Sequence, residues 1–145
     1  MKKYLYFAYG SNLHVEQMGG RCPGAEGVSP AVLEGWRLVE RGYADIEPAE
    51  GACVHGALYL ITDDDLAALD LYEGYPEFYL RREVTVTDPS GAAHAALVYL
   101  MTDRYKKGLE NQPYTEGYRA VCSAGAAHWR IPDAFSPRPR GRMGA

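Results

Sequence analysis

Residues 62–101 read TDDDLAALDLYEGYPEFYLRREVTVTDPSGAAHAALVYLM. The stretch opens on Thr62 and three acids, the composition of a helix N-terminus, where a hydroxyl caps backbone N–H groups and carboxylates meet the positive dipole end. Leu66 and Leu69 stand at helical spacing. Gly74 ends the helix, and Pro76 forbids its continuation. The period then changes to two. Val84 and Val86 fall on one face of residues 79–88, Thr85 and Thr87 on the other. Asp88-Pro89-Ser90-Gly91 is a turn, and residues 93–101 pair back as the second arm of a hairpin. A helix followed by an antiparallel hairpin belongs to α+β proteins, not to the alternating α/β pattern.

The flanking sequence extends this reading. Residues 3–8 predict a strand broken by Tyr9-Gly10-Ser11-Asn12. His14 to Met18 predict a short helix closed by Gly19-Gly20. Residues 31–43 predict one or two strands, and Val54 to Ile61 another. Residues 102–113 read as a polar loop and Thr115 to Ala127 as a second helix. The fold class is α+β, a small mixed β-barrel-like sheet with a few helices. One domain spans 1–135, and 136–145 form a flexible basic tail.

Composition narrows the function. The 145 residues suit one domain and are too few for a TIM barrel or a two-half dinucleotide fold. The net charge is −4; three Arg lie in the last ten residues, so the body before them carries −7, which argues against a nucleic-acid surface. No apolar run reaches the ~20 residues of a membrane helix, and the N-terminus has no signal-peptide core. A cytoplasmic protein is expected. Cys22, Cys53 and Cys122 form no CxxC and are expected as buried, reduced thiols. The four His have no metal-ligand spacing, and no nucleotide-binding or nucleophile-elbow motif is present. Neither metal nor cofactor is expected. Twelve Tyr stand against three Phe, and nine of them fall in three stretches: Tyr4, Tyr6 and Tyr9; Tyr72, Tyr75 and Tyr79; Tyr105, Tyr114 and Tyr118. They suit either a β-rich fold or a pocket lined by phenols.

Two places carry candidate chemistry. Glu73 follows Leu66, Leu69 and Asp70 at i+7, i+4 and i+3, on the inward edge of its helix. It also sits in the last turn, at the negative dipole end. Burial and dipole both disfavour its charge and raise its pKa toward that of a working general base. The alternative is a Glu that turns to solvent or pairs with Arg81 or Arg82. The Tyr9-Gly10-Ser11-Asn12 turn exposes backbone N–H groups at a sheet end. Gly permits positive φ and Asn tolerates it, and successive N–H groups in such a turn make an anion-binding concavity; the alternative is an ordinary turn.

Together, Tyr6-Phe7-Ala8-Tyr9-Gly10-Ser11-Asn12-Leu13, Leu69-Asp70-Leu71-Tyr72-Glu73-Gly74-Tyr75-Pro76 with Tyr79, Val98-Tyr99-Leu100-Met101-Thr102, and Pro113 with Tyr118 before Gly125-Ala126 resemble the gamma-glutamylcyclotransferase-like family. Arg21-Cys22-Pro23 and Ala44-Asp45-Ile46-Glu47-Pro48 also look like its small bacterial members. The resemblance implies a small barrel with a pocket at the Tyr-Gly-Ser-Asn loop. It implies cyclisation of a γ-glutamyl amide to 5-oxoproline with release of an amine or amino acid. Glu73 matches the family's acid/base, residues 6–13 its substrate-binding segment, and Tyr118 a substrate-contacting Tyr. Tyr6, Tyr9, Tyr79 and Tyr118 are the phenols expected near Glu73. The partner is then a small γ-glutamyl molecule, with no nucleic acid and no membrane; monomer and homodimer both stay open. A non-catalytic module that holds a small carboxylate metabolite in the same pocket is the competing reading.

Overall fold

The computed structural model describes residues 2–136. The elements run β1 (Lys3–Ala8), α1 (Val15–Arg21), β2 (Glu26–Arg41), β3 (Tyr43–Thr62), α2 (Asp63–Glu73), β4 (Tyr79–Thr87), β5 (Ala93–Met101), α3 (Asp103–Lys107) and α4 (Glu116–Trp129), with a single 3₁₀ turn at Ser11–Leu13 between β1 and α1. The five strands close into a barrel in the order β1-β3-β2-β4-β5. All pairings are antiparallel except the seam, where β1 meets β5 in parallel at Tyr6↔Leu97. The α+β class with a barrel-like mixed sheet therefore holds.

The helix of the opening stretch forms for the reasons its sequence gives. Thr62 Oγ1 accepts the N–H of Asp65 at 3.1 Å, and Asp65 Oδ2 accepts that of Thr62 at 3.0 Å, a complete capping box. Asp65 is buried because its other oxygen takes the Gly24 N–H at 3.1 Å. Gly74 closes the helix at φ 71°, a left-handed position that glycine reaches without a Cβ penalty. In the hairpin, Val84 and Val86 are buried and Thr85 and Thr87 exposed, and Asp88 Oδ1 accepts N–H groups from Ser90 and Ala92.

Four expectations need correction. Gly19 and Gly20 do not close α1. A Cβ at either would meet nothing within 4 Å, so no packing depends on them, and the helix runs to Arg21. It stops at Cys22, which precedes Pro23 and takes the extended backbone (φ −133°, ψ 81°) that a following proline favours. The region 26–62 is one long hairpin turning at Gly42 (φ 70°), including 44–53. Pro48 and Gly51 hide that strand locally; cross-strand pairing, such as Trp36↔Pro48, carries it. Within the polar segment 102–113, Thr102 Oγ1 accepts the Tyr105 N–H at 3.2 Å and starts the short helix α3. Cys22 and Cys122 are buried, but Cys53 is exposed, because strand alternation sends Val54 inward instead. The tail 136–145 lies outside the described residues except Ser136, whose Oγ donates to Asp133 at 2.6 Å. Among the described residues no helix is long and apolar enough to cross a membrane.

Candidate active site

Glu73 is the last residue of α2 and is half-buried. Among the described residues it makes no hydrogen bond and no ion pair. The cations proposed to neutralise it are engaged elsewhere. Arg81 Nε lies 2.8 Å from Asp70 Oδ1, and its guanidinium covers the Tyr75 ring at 4.4 Å. Arg82 stacks over Trp36 at 5.2 Å. Burial pushes the Glu73 carboxyl up from its ordinary 4.5 to about 7, against an opposing pull from the Arg21 charge. An unpaired carboxyl with both protonation states populated near neutral pH can accept a proton and return it.

Phenols surround this carboxyl. Its charge raises the pKa of Tyr6, Tyr9, Tyr79 and Tyr105, for each of which burial is the larger cause. The strand ends at Ala8, so Tyr9 escapes the alternation that would turn it away from Tyr6. The phenols are fixed in place. Tyr6 Oη accepts from Asn12 Nδ2 at 3.0 Å, and Tyr9 Oη donates to the Tyr99 carbonyl at 2.6 Å. Tyr79 and Phe78 lean on Tyr105 with ring centres 5.8 and 5.1 Å apart. Tyr118 stands one step back. Burial pushes its pKa far above the ordinary 10, so it stays a neutral phenol, and its hydroxyl accepts the Ala44 N–H at 3.0 Å. Tyr105 is the phenol that the loop reading of 102–113 hid.

The loop after β1 is held by β3 and α4. Tyr59 Oη donates to the Asn12 carbonyl at 2.8 Å, and Trp129 Nε1 to the Leu13 carbonyl at 3.0 Å. Helix α4 presses so closely that a Cβ on Gly125 would lie 2.5 Å from the Leu13 carbonyl carbon. Asn12 and Leu13 are buried, as are Phe7 and Ala8, so Phe7, Ala8 and Leu13 serve the core through their side chains. The positive φ that glycine permits and asparagine tolerates is taken at neither Gly10 nor Asn12. Gly10 has φ −127°, and glycine is needed there for space: a Cβ would come 2.9 Å from Tyr118 Oη and 3.2 Å from Ala44 Cβ. The segment still turns its N–H groups out of the hydrogen-bond network. No acceptor among the described residues takes the N–H of Gly10, Ser11 or Asn12.

Arg21, which the sequence marks only in the family-like run Arg21-Cys22-Pro23 and not as a site residue, ends α1. Its Nη1 donates to Asn12 Oδ1 at 2.6 Å, its Nη2 bonds the Tyr72 hydroxyl, and its guanidinium lies 3.4 Å over the Tyr72 ring. A buried Arg41–Asp45 pair at 2.7 Å supports the far side, where Asp45 Oδ1 also accepts the Met101 N–H at 2.9 Å. The larger voids lie elsewhere on the molecule. Cavities of about 450 and 500 Å³ lie beside His55 and Arg119 respectively, away from Glu73. A smaller cleft of about 260 Å³ among Glu77, Phe78, Arg104 and Tyr105 adjoins the phenol cluster. Among the described residues no group of three or more metal-ligating side chains forms.

Comparison with known proteins places this arrangement in context. A family model described as "Gamma-glutamyl cyclotransferase, AIG2-like" matches residues 6–120. The chain is 31% identical over 144 residues to a gamma-glutamylcyclotransferase of Bos taurus, covering 90% of this chain and 74% of that one. The Homo sapiens gamma-glutamylcyclotransferase is 29% identical over the same shares of the two chains. A solved structure of an uncharacterized protein from Homo sapiens superposes with TM-score 0.84 at 27% identity, covering 94% of this chain and 90% of that one. One named gamma-glutamyl cyclotransferase gives TM-score 0.77 at 25% identity, covering 97% and 92%.

Proposed function

Because the chain belongs to the gamma-glutamyl cyclotransferase, AIG2-like family, we propose that it converts a γ-glutamyl amide to 5-oxoproline and a free amine or amino acid, with Glu73 as general acid/base. The observation that carries this reading is the isolation of Glu73: half-buried and without a cationic partner within bonding distance among the described residues, so that burial pushes its carboxyl up to about 7.

A γ-glutamyl amide brings its own nucleophile. The α-amine attacks the γ-carbonyl carbon and closes a five-membered ring, so no enzyme nucleophile is required. Holding the chain folded supplies the proximity term. As the new C–N bond forms, the carbonyl oxygen becomes an oxyanion and the attacking nitrogen loses a proton to the Glu73 carboxylate. Glu73 then gives that proton to the leaving nitrogen, the old C–N bond breaks, and the carbonyl re-forms. The carboxylate emerges unchanged. The unpaired N–H groups of residues 10–12 are the donors available to an anion beside this carboxyl. Tyr6, Tyr9, Tyr79, Tyr105 and Tyr118 supply an apolar wall with polar tips, the usual lining of a small-ligand site.

The experiment is 5-oxoproline release from γ-glutamyl-alanine by the wild type and by Glu73→Gln. The amide cannot shuttle protons, and a loss of about 10²–10⁴ in kcat is expected. Near-normal turnover by the variant would remove Glu73 from the reaction.

A further inference from the structure

Arg37, Arg41, Arg81 and Arg119 each contact a carboxylate. Arg21 differs. It is half-buried, yet no Asp or Glu among the described residues lies within 4.0 Å of its guanidinium. Its contacts are neutral: Asn12 Oδ1 at 2.6 Å, Ser11 Oγ at 3.4 Å and the Tyr72 phenol. A cation drawn partly out of water without a counter-charge is costly, and this one is held in a definite place. Asn12, its main anchor, is buried and is itself fixed by Tyr6 and Tyr59. These contacts occupy at most three of the five guanidinium N–H donors.

The position is informative. Arg21 touches two residues of the 10–12 segment whose N–H groups are unpaired, and Glu73 feels its charge. An anion placed here would meet both a guanidinium fork and backbone donors, next to the proposed general base. In a γ-glutamyl group the carboxylate and the attacking amine share one carbon. Anchoring the first beside Arg21 therefore delivers the second toward Glu73.

We propose that Arg21 binds the α-carboxylate of the substrate, acting as its missing counter-ion and making that carboxylate a requirement for recognition. The proposal rests on the cyclisation reading for its ligand. It excludes amides that lack the carboxylate, such as 4-aminobutyryl-alanine, although these could close the same five-membered ring.

The test is calorimetric titration of the full-length protein with two lactams, 5-oxoproline and pyrrolidin-2-one, which differ only by the carboxylate. The wild type is expected to prefer 5-oxoproline. Arg21→Met should weaken 5-oxoproline binding about 10- to 100-fold, the value of a charged hydrogen-bonded contact, and leave pyrrolidin-2-one within about twofold. Arg21→Lys, which keeps the charge but loses the fork, should fall between and guards against a folding defect in the Met variant. Equal weakening of both lactams would make Arg21 a prop for the loop and overturn the proposal. So would a wild type without preference, or unchanged 5-oxoproline binding in Arg21→Met. The two readings separate cleanly. Normal turnover by Glu73→Gln, together with a preference that vanishes in Arg21→Met, would sink the role of Glu73 and leave that of Arg21 standing.

Discussion

Glu73→Gln should make the protein more stable at alkaline pH. Burial moves the Glu73 carboxyl from 4.5 to about 7 in the fold. Each tenfold change in ionisation is worth ~1.36 kcal/mol, so ionised Glu73 costs the native state about 3 kcal/mol. The sign follows from proton linkage. Below pH 4.5 the carboxyl is protonated in both folded and unfolded chains, and the charge cost is absent. Between pH 4.5 and about 7 the unfolded chain ionises while the fold holds its proton, and stability falls as pH rises. Above pH 7 the fold carries the charge and the full cost remains. Glutamine is isosteric and never ionises. Urea denaturation at pH 4.5 and pH 8 should therefore show the variant gaining about 3 kcal/mol on the wild type between the two. Parallel pH dependences would mean that Glu73 is solvated in the native protein, and the desolvation argument for a neutral-pH base would fall with that result.

Three further outcomes follow from the geometry. A ¹³C-detected titration of the free protein should place the Glu73 midpoint near 7, and Arg21→Met should move it higher, because the guanidinium now favours the ionised form; a downward move would contradict the placement of that charge. Gly10→Val should drive a side chain into Tyr118 Oη, cost about 1–2 kcal/mol through the disturbed Ala44 hydrogen bond, and impair 5-oxoproline binding far more than folding. A collapse of thermal stability in that variant would make the loop purely structural. Arg41→Met should lose about 3–5 kcal/mol by stranding buried Asp45, measurable by urea denaturation; a neutral result would show that Asp45 escapes to water.

Local chemistry was legible in the sequence. Thr62 and Gly74 mark the ends of α2 by capping groups that act within a turn, and helical spacing alone places Glu73 on the inward edge. What was hidden depends on partners far along the chain. Residues 44–53 become strand because β2 pairs with them, despite Pro48 and Gly51. The need for glycine at position 10 arises from Tyr118, which 108 positions of sequence separate from it, and not from its own torsions. Arg21 lies outside the helix predicted over residues 14–18, and only the fold sets it against Asn12 and Tyr72. Tyr105 was obscured by Lys106-Lys107-Gly108, which made its segment look like solvated loop.

The parallel seam at Tyr6↔Leu97 has a kinetic consequence. The hairpins β2–β3 and β4–β5 join neighbours in the chain and can form early, whereas the seam must close a loop of about ninety residues, a slow kind of event because its entropy is lost before any contact rewards it. Tyr6 belongs to the seam itself, and the loop at 10–13 follows directly from it. During refolding, ligand binding should therefore return with the last phase, after most strand signal has recovered. A chain caught before that closure would hold both hairpins and yet have no assembled site.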